Sequence, residues 1–224
     1  LLDPNTLSED GTVALMDTSF SEDGRYMAYA LADGGSDWRT VRVRDVHTAR
    51  DVEDELRWVK FSALSWKHDG SGFFYSRYDT PEEGAELQAV NYHQKLYFHA
   101  LGTPQSEDVL VYDRPDEKEW GFIGFVSDDG RYLMIHVRRG TEQKNAMFYK
   151  DLRQPNAPVV ELLRDWDAQY SYAGNDGEQF FFFTDLEAPR GRLIAIDTRR
   201  PDRVNWRQLV AEDERTLEQV SLVG

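Results

Sequence analysis

The sequence predicts an all-β protein with the repeating strands of a partial β-propeller, and two observations support this fold class. The first is a recurring Asp-Gly turn, which has the sequences SEDGRY at 21–26 and SDDGRY at 127–132, with weaker copies at 68–70 and 175–177. The second is the spacing of the turn glycines, residues 24, 70, 130 and 177, which are 46, 60 and 47 residues apart. A period in the forties with several short strands in each unit is typical of propeller blades.

A short apolar run rich in aromatic residues follows each turn, and such runs between Asp-Gly and proline-containing turns indicate β-strands. At 132–135 and 180–183 both faces of the predicted strand are apolar, so we expect neighbouring blades to cover both faces. By contrast, 41–44 alternates valine and arginine, which predicts an outer strand with one solvated face. No segment has the apolar period of about 3.6 residues that indicates a helix.

Alignment on the turns predicts about four antiparallel blades of four strands each, followed by the first strand of a fifth. The predicted repeat units are 12–58, 59–118, 119–167 and 168–216, and 217–224 begins the next blade. The innermost strands of these units are expected at 12–18, 59–66, 120–126, 168–174 and 217–223. The first blade is expected to end in a short strand near Val52, and a polar loop insertion at 79–88 accounts for the long second unit. An unfinished fifth blade predicts excision from a larger ring.

The composition is that of a globular protein, and it restricts the partners of the chain. Of the 224 residues, 40% are hydrophobic, and the formal net charge is −15. This charge argues against nucleic acid and anionic membranes as partners. It indicates either a solvated acidic surface or an electrostatic preference for cationic substrates. No apolar stretch approaches the roughly 18 to 20 residues that cross a bilayer, and no N-terminal targeting signal is recognisable.

The chain contains no cysteine, which excludes disulfides, thiolate catalysis and cysteine metal sites. The histidines, at 47, 68, 93, 99 and 136, lack the spacing of metal-ligand pairs, and we interpret them as exposed or structurally hydrogen-bonded. Ser36 follows two glycines but lacks the Gly-x-Ser-x-Gly pattern of a nucleophile elbow. The residues alone therefore predict a binding or scaffolding module without metal or cofactor. A cytoplasmic location is preferred, and a periplasmic one stays open.

Four segments together resemble the propeller domain of prolyl oligopeptidase. These segments are LDPNTLS at 2–8, VKFS at 59–62, HQKLYFH at 93–99 and LGTPQSED at 101–108. The resemblance runs collinearly through nearly the whole chain, and the block at 93–108 is highly specific. It implies a central part of a seven-bladed propeller that is joined to an α/β-hydrolase domain. In this family the intact enzyme cleaves short peptides after proline, while the propeller covers the active site and excludes large substrates.

The resemblance also implies that catalysis resides outside this chain. The serine nucleophile of the family, in its Gly-Gly-Ser-Asn-Gly-Gly elbow, belongs to the hydrolase domain, as do the catalytic aspartate and histidine, and no corresponding segment occurs here. Without an activated nucleophile and an oxyanion hole, the chain alone is expected to have no peptidase activity. Its expected partners are the hydrolase domain of the parent protein, a serine endopeptidase, and short proline-containing peptides.

Four positions are implied by the resemblance to contact the substrate. Phe61 matches a phenylalanine that lines an apolar subsite on the amino-terminal side of the proline, and Arg138 matches an arginine that points into the cavity. Gly121 and Thr141 stand where the mammalian members have a methionine and a cysteine. Loss of a buried methionine side chain removes about 2 kcal/mol of apolar burial. We therefore hypothesise a roomier, less apolar subsite in the intact parent enzyme.

Two other functions compete with this interpretation. A stand-alone propeller scaffold would bind a protein partner through the loops at one face. The hypothesis of a related oligopeptidase that cuts after basic residues is weaker, because the HQKLY block at 93–97 fits the proline-specific branch better.

Under each of these interpretations, an excised set of blades has open edges with unpaired backbone groups, and such edges recruit other strands. We therefore also expect self-association.

Overall fold

The computed structural model describes residues 2–3, 7–8, 10–82, 84, 91–217, 220 and 222. In this part of the chain, sixteen strands alternate with turns, and the helical segments are two short 3-10 turns at Gln105–Glu107 and Arg203–Asn205. Neither is long and apolar enough to cross a membrane. The all-β prediction is confirmed. The chain divides into two compact units, 1–126 and 127–224.

The first unit is built on one antiparallel sheet. The strands of this sheet are β1 (Val13–Phe20), β2 (Tyr26–Asp33), β3 (Arg39–Asp45), β4 (Arg50–Val59), β5 (Ser65–Trp66), β6 (Gly72–Arg77), β7 (Lys95–Ala100) and β8 (Val109–Tyr112). The unit also contains β9 (Trp120–Val126), which is not part of this sheet. The strand order is β1-β2-β3-β4-β6-β7-β8, and β5 pairs with β6. The two halves of this sheet meet where Val59 of β4 pairs with Arg77 of β6.

The recurring turn has the same hydrogen bonds in both of its best copies. At 21–26, the Ser21 hydroxyl donates to the Asp23 carboxylate over 2.6 Å and accepts the Tyr26 amide over 2.9 Å. The same Asp23 oxygen accepts the Arg25 amide over 3.0 Å. The copy at 127–132 repeats these three distances at matching positions. The glycine of each turn has a φ near +70°, which favours glycine over other residues.

The core of the first unit lies against the inner residues of β2, β3 and β6. Val41 and Val43 of β3 are fully buried, whereas Arg42 between them is exposed, as the alternating pattern predicts. Trp66 packs on Phe73 with ring centroids 5.1 Å apart, and its indole N–H donates to the Ser19 carbonyl over 3.0 Å. This contact fastens β5 to the end of β1.

The second unit contains two groups of antiparallel strands. The first consists of β10 (Tyr132–Arg139), β11 (Ala146–Asp151) and β12 (Val160–Leu163). The second is a four-stranded sheet of β13 (Tyr170–Asp176), β14 (Gln179–Thr184), β15 (Arg192–Asp197) and β16 (Arg207–Val210), paired in chain order. The rings of Tyr132, Tyr149 and Phe180 meet edge to face at 4.7 to 5.7 Å, so aromatic packing joins the two groups.

The structure corrects two strand predictions in the first unit. The last strand of the first blade is not a short stretch near Val52, because β4 runs over ten residues from Arg50 to Val59. The strand predicted at 59–66 is reduced to β5, which has two residues. The cause is the backbone of Phe61, whose φ of 53° is left-handed and incompatible with an extended strand. The predicted strand at 217–223 and the insertion at 79–88 lie partly outside the described residues.

Candidate functional site

The end of β4 and the segment that follows it carry two aromatic residues in an unfavourable backbone conformation. Trp58 has a φ of 61° and Phe61 a φ of 53°. Left-handed backbone is rare for bulky residues, and strain of this kind concentrates at binding and catalytic sites. Phe61 is 36% exposed although it is a large apolar residue. The structure therefore singles out the Phe61 segment on grounds independent of the resemblance.

A buried amide, that of Gln94, holds this segment in place. Gln94 is 1% exposed, and its Nε2 donates to the carbonyls of Lys60 over 2.7 Å and Phe61 over 3.3 Å. Its Oε1 accepts the backbone N–H of Phe122 over 2.7 Å. Because Phe122 directly follows Gly121, one side chain connects the backbone segments of two predicted site residues. Gln94 therefore fixes their spacing.

Two serines complete the support around Gln94. The Ser76 hydroxyl, which is fully buried, donates to the Phe122 carbonyl over 2.6 Å. The Ser76 amide donates to the hydroxyl of Ser62 over 2.7 Å. Both backbone polar groups of Phe122 are thus bonded by side chains of neighbouring segments. The backbone beside Phe61 and Gly121 is rigid because its buried polar groups are satisfied.

A cation lies beside the exposed phenyl ring. The ammonium of Lys60 is 5.3 Å from the centroid of Phe61 and 5.1 Å from that of Trp38, and it pairs with the Asp37 carboxylate over 3.3 Å. Both distances suit a cation–π contact. The sequence analysis missed Lys60 and Trp38 as site residues. The available signal was the tryptophan two residues after Ser36, in a segment that was considered only for a nucleophile elbow.

The other two predicted site residues belong to the second unit. Arg138 is half-buried near the end of β10, and Thr141 is exposed in the following turn. The neighbouring Arg139 forms a bidentate pair with Glu142, at 2.8 and 2.7 Å. Burial, and then the charge of Arg138, lower the pKa of His136 on the same strand. Near neutral pH, His136 is therefore neutral. Contact of these residues with a substrate stays a prediction.

A buried ionic cluster that the sequence analysis did not identify lies in the first unit. His99, which is fully buried, has its Nδ1 2.7 Å from a carboxylate oxygen of Asp108 and its Nε2 2.8 Å from one of Asp54. Asp108 also accepts the hydroxyl of Tyr75 over 2.5 Å, and Asp54 accepts the amide of Gly102 over 2.7 Å. Both ring nitrogens face carboxylates, so both must donate and the imidazole is an imidazolium.

The electrostatics of the cluster follow from this arrangement. Burial alone would lower the pKa of His99, but the hydrogen bonds with Asp108 and Asp54 outweigh burial and raise it to about 9. Burial would raise the pKa of Asp54, and the bond from His99 instead holds it below its usual value. The cluster joins β4 to β7 and to the start of β8 and is closed to solvent. Its role is therefore structural. In the described part of the chain, no group of three acidic or histidine side chains is placed to hold a metal ion.

Comparison with known proteins identifies the fold. The family model described as "Prolyl oligopeptidase, N-terminal beta-propeller domain" matches residues 1–224. The prolyl endopeptidase of Elizabethkingia meningoseptica is 38% identical over 97% of this chain, and prolyl oligopeptidase A of Galerina marginata is 34% identical over 99%. The structure of prolyl oligopeptidase B from Galerina marginata, bound to a 35mer hydrolysis and macrocyclization substrate, matches 98% of the chain with a TM-score of 0.89 and 29% identity.

The matched region is one part of longer proteins. The chain spans 30% of the Elizabethkingia meningoseptica enzyme and 32% of each of the two Galerina marginata proteins. The described sheets are antiparallel and none closes on itself, as expected for an incomplete propeller. The predicted partial propeller and the predicted family are thereby confirmed, and the chain belongs to the N-terminal β-propeller domain of the prolyl oligopeptidases.

Proposed function

We propose that this chain is the noncatalytic, substrate-confining part of a serine-type peptidase that cleaves short peptides after proline. The hydrolase domain of the parent protein supplies the nucleophile, and the propeller admits flexible peptides while it excludes folded proteins by size. The membership of the family and the peptide-bound relative support this assignment. The observation that carries it is the pairing of the Phe61 and Gly121 segments through Gln94.

The side chains of the first unit suit contact with a peptide. The exposed ring of Phe61 offers an apolar face for a substrate side chain, and the rigid backbone around it lowers the entropy lost on binding. Gly121 contributes no side chain, and we therefore expect the subsite to be roomier than one that contains a methionine at this position. In the second unit, the guanidinium of Arg138 is suited to donate to a substrate carbonyl or carboxylate. Thr141 offers a hydroxyl.

Domain complementation tests the proposal. A fluorogenic proline-containing dipeptide is incubated with the purified chain, with a separately expressed hydrolase domain of a close relative, and with the mixture. We expect no hydrolysis by the chain alone, and we expect the mixture to cleave the dipeptide faster than the hydrolase domain does. Hydrolysis by the chain alone, after removal of contaminating peptidases, would contradict a noncatalytic role. Identical rates with and without the chain would contradict the confining role.

A further inference from the structure

A cavity of about 490 Å³ in the first unit has no function assigned so far. It lies where β2 ends, β3 begins and β4 ends. The indoles of Trp38 and Trp58 form one side, edge to face with centroids 5.7 Å apart, and Val13 and Leu31 contribute aliphatic surface. The cavity thus has apolar walls that a peptide segment could contact. Trp58 is one of the two strained aromatic residues, which places backbone strain at this cavity as well.

The charges that line the cavity are unevenly paired. Its cations are Arg39, Arg42 and Arg57, and its anions are Asp33 and Glu55. Glu55 engages two of the three arginines, with 2.8 Å to Arg42 and 2.9 Å to Nε of Arg57. The bond from Arg57 and the charges of both arginines hold the pKa of Glu55 below its usual value, so this carboxylate is ionised near neutral pH.

Arg39 differs from the other two arginines. Its Nε is buried, and within the described residues no group accepts a hydrogen bond from it. Arg39 is therefore the arginine of this cavity that Glu55 does not engage. The lining has one more cation than anions, although the whole chain carries a net charge of −15. The cavity is therefore a local cationic site on an acidic protein.

We propose that this cavity binds the side-chain carboxylate of an acidic residue in an extended peptide. Arg39 donates to the carboxylate, and the indoles of Trp38 and Trp58 pack against the aliphatic part of the peptide. A planar guanidinium and a carboxylate match in geometry and charge. A lone small anion would use little of the volume and none of the aromatic wall, which favours a peptide as the source of the carboxylate.

The cavity adjoins the site described above. Lys60 lies between the ring of Trp38, which lines the cavity, and the ring of Phe61. A peptide that contacts Phe61 can therefore extend an acidic residue to Arg39. The identification of the bound peptide as a peptidase substrate that also contacts Phe61 rests on the proposed function. Binding of the carboxylate itself does not require any hydrolase domain.

The test uses this chain and two blocked pentapeptides, one with a central glutamate and one with a central glutamine, neither containing proline. Dissociation constants come from titrations followed by the indole N–H signals in ¹H–¹⁵N NMR spectra. We expect the glutamate peptide to bind at least about tenfold more tightly, which corresponds to about 1.4 kcal/mol. We also expect it to shift the signals of Trp38 and Trp58 and not that of Trp206 in the second unit.

Arg39→Met is the informative variant, because methionine keeps an apolar stem and removes the charge. We expect it to reduce the preference for glutamate to less than about twofold. Arg50→Met is the matched control: it removes one positive charge from an exposed position at the other end of β4 and should keep the full preference. Equal binding of both peptides by the unsubstituted chain overturns the proposal whether or not the variants fold. A third blocked pentapeptide with a central lysine is titrated in the same way, and tighter binding of this peptide than of the glutamate peptide also overturns the proposal. Because these peptides lack proline, failure here leaves the complementation test unaffected.

Discussion

At the scale of single residues, the buried imidazolium of His99 predicts how stability depends on pH. The pKa of His99 is raised to about 9 in the folded chain, against about 6.5 in an unfolded chain. Its contribution to stability is therefore complete below about pH 6.5 and is lost as the pH rises through 9. The hydroxyl of Tyr75 stays protonated in this range, because burial and Asp108 raise its pKa well above the usual value.

We expect the free energy of unfolding to fall by about 3 kcal/mol between pH 6.5 and 9.5, from the difference between the two pKa values. Urea unfolding at pH 6.5, 8 and 9.5 measures this change. His99→Gln should lower stability at pH 6.5 by about 3–5 kcal/mol, because it leaves buried carboxylates without a cation, and should flatten the decline with pH. His47→Gln, at an exposed position, is the control and should keep the decline. If the free energy of unfolding depends on pH equally in His99→Gln and in the unsubstituted chain, His99 is not charged in the folded state.

The residues of this cluster also show why some features could not be read from the sequence. Asp54, Tyr75 and the pair of His99 and Asp108 lie in three separate parts of the chain, and each residue alone has several ordinary interpretations. Only the pairing of β4 with β6 and of β6 with β7 brings them together. The recurring turns were predictable for the opposite reason, since their hydrogen bonds connect residues no more than five positions apart.

At the scale of elements, the local pattern of apolar and polar residues predicted the strands well where the backbone is regular. β9 has the predicted bounds, and β3 alternates as expected. The prediction was wrong between β4 and β5, where Phe61 has a left-handed backbone and its carbonyl accepts a hydrogen bond from Gln94, a contact between residues 33 positions apart that local pattern does not reveal. The aromatic residues of this segment have good strand propensity, and tertiary contacts override it.

Removal of the Gln94 amide should loosen this segment. Gln94→Leu keeps the size of the side chain but leaves the carbonyls of Lys60 and Phe61 and the N–H of Phe122 without their partner. We expect a loss of about 2–4 kcal/mol in the free energy of unfolding. We also expect faster tryptic cleavage after Arg57 and Lys60 under native conditions.

Urea unfolding and mass spectrometry of timed digests measure the two effects. Gln169→Leu, at an exposed position of the second unit, is the matched control and should change stability by less than about 0.5 kcal/mol. Unchanged cleavage after Lys60 in the Gln94 variant would argue that the segment holds its conformation without the amide.

At the scale of the whole molecule, β1 is an open sheet edge along which two copies can associate. It ends the sheet of the first unit, and its outward face carries Met16 and Phe20, each 48% exposed. An edge strand with apolar side chains pairs readily with a second chain. The net charge of −15 opposes this contact through repulsion between copies. We therefore predict reversible self-association through β1 that increases with protein and salt concentration.

Sedimentation velocity from about 1 to 100 μM, at low and at moderate salt, measures the association. Phe20→Lys should make the chain monomeric across this range, because it removes an exposed apolar side chain from the edge strand. Thr18→Lys is the control on the same exposed face of β1. Both substitutions lower the net negative charge equally, so repulsion between copies weakens equally in both. A difference between them therefore reports the apolar contact of Phe20, and a monomeric parent chain at every concentration would refute the prediction.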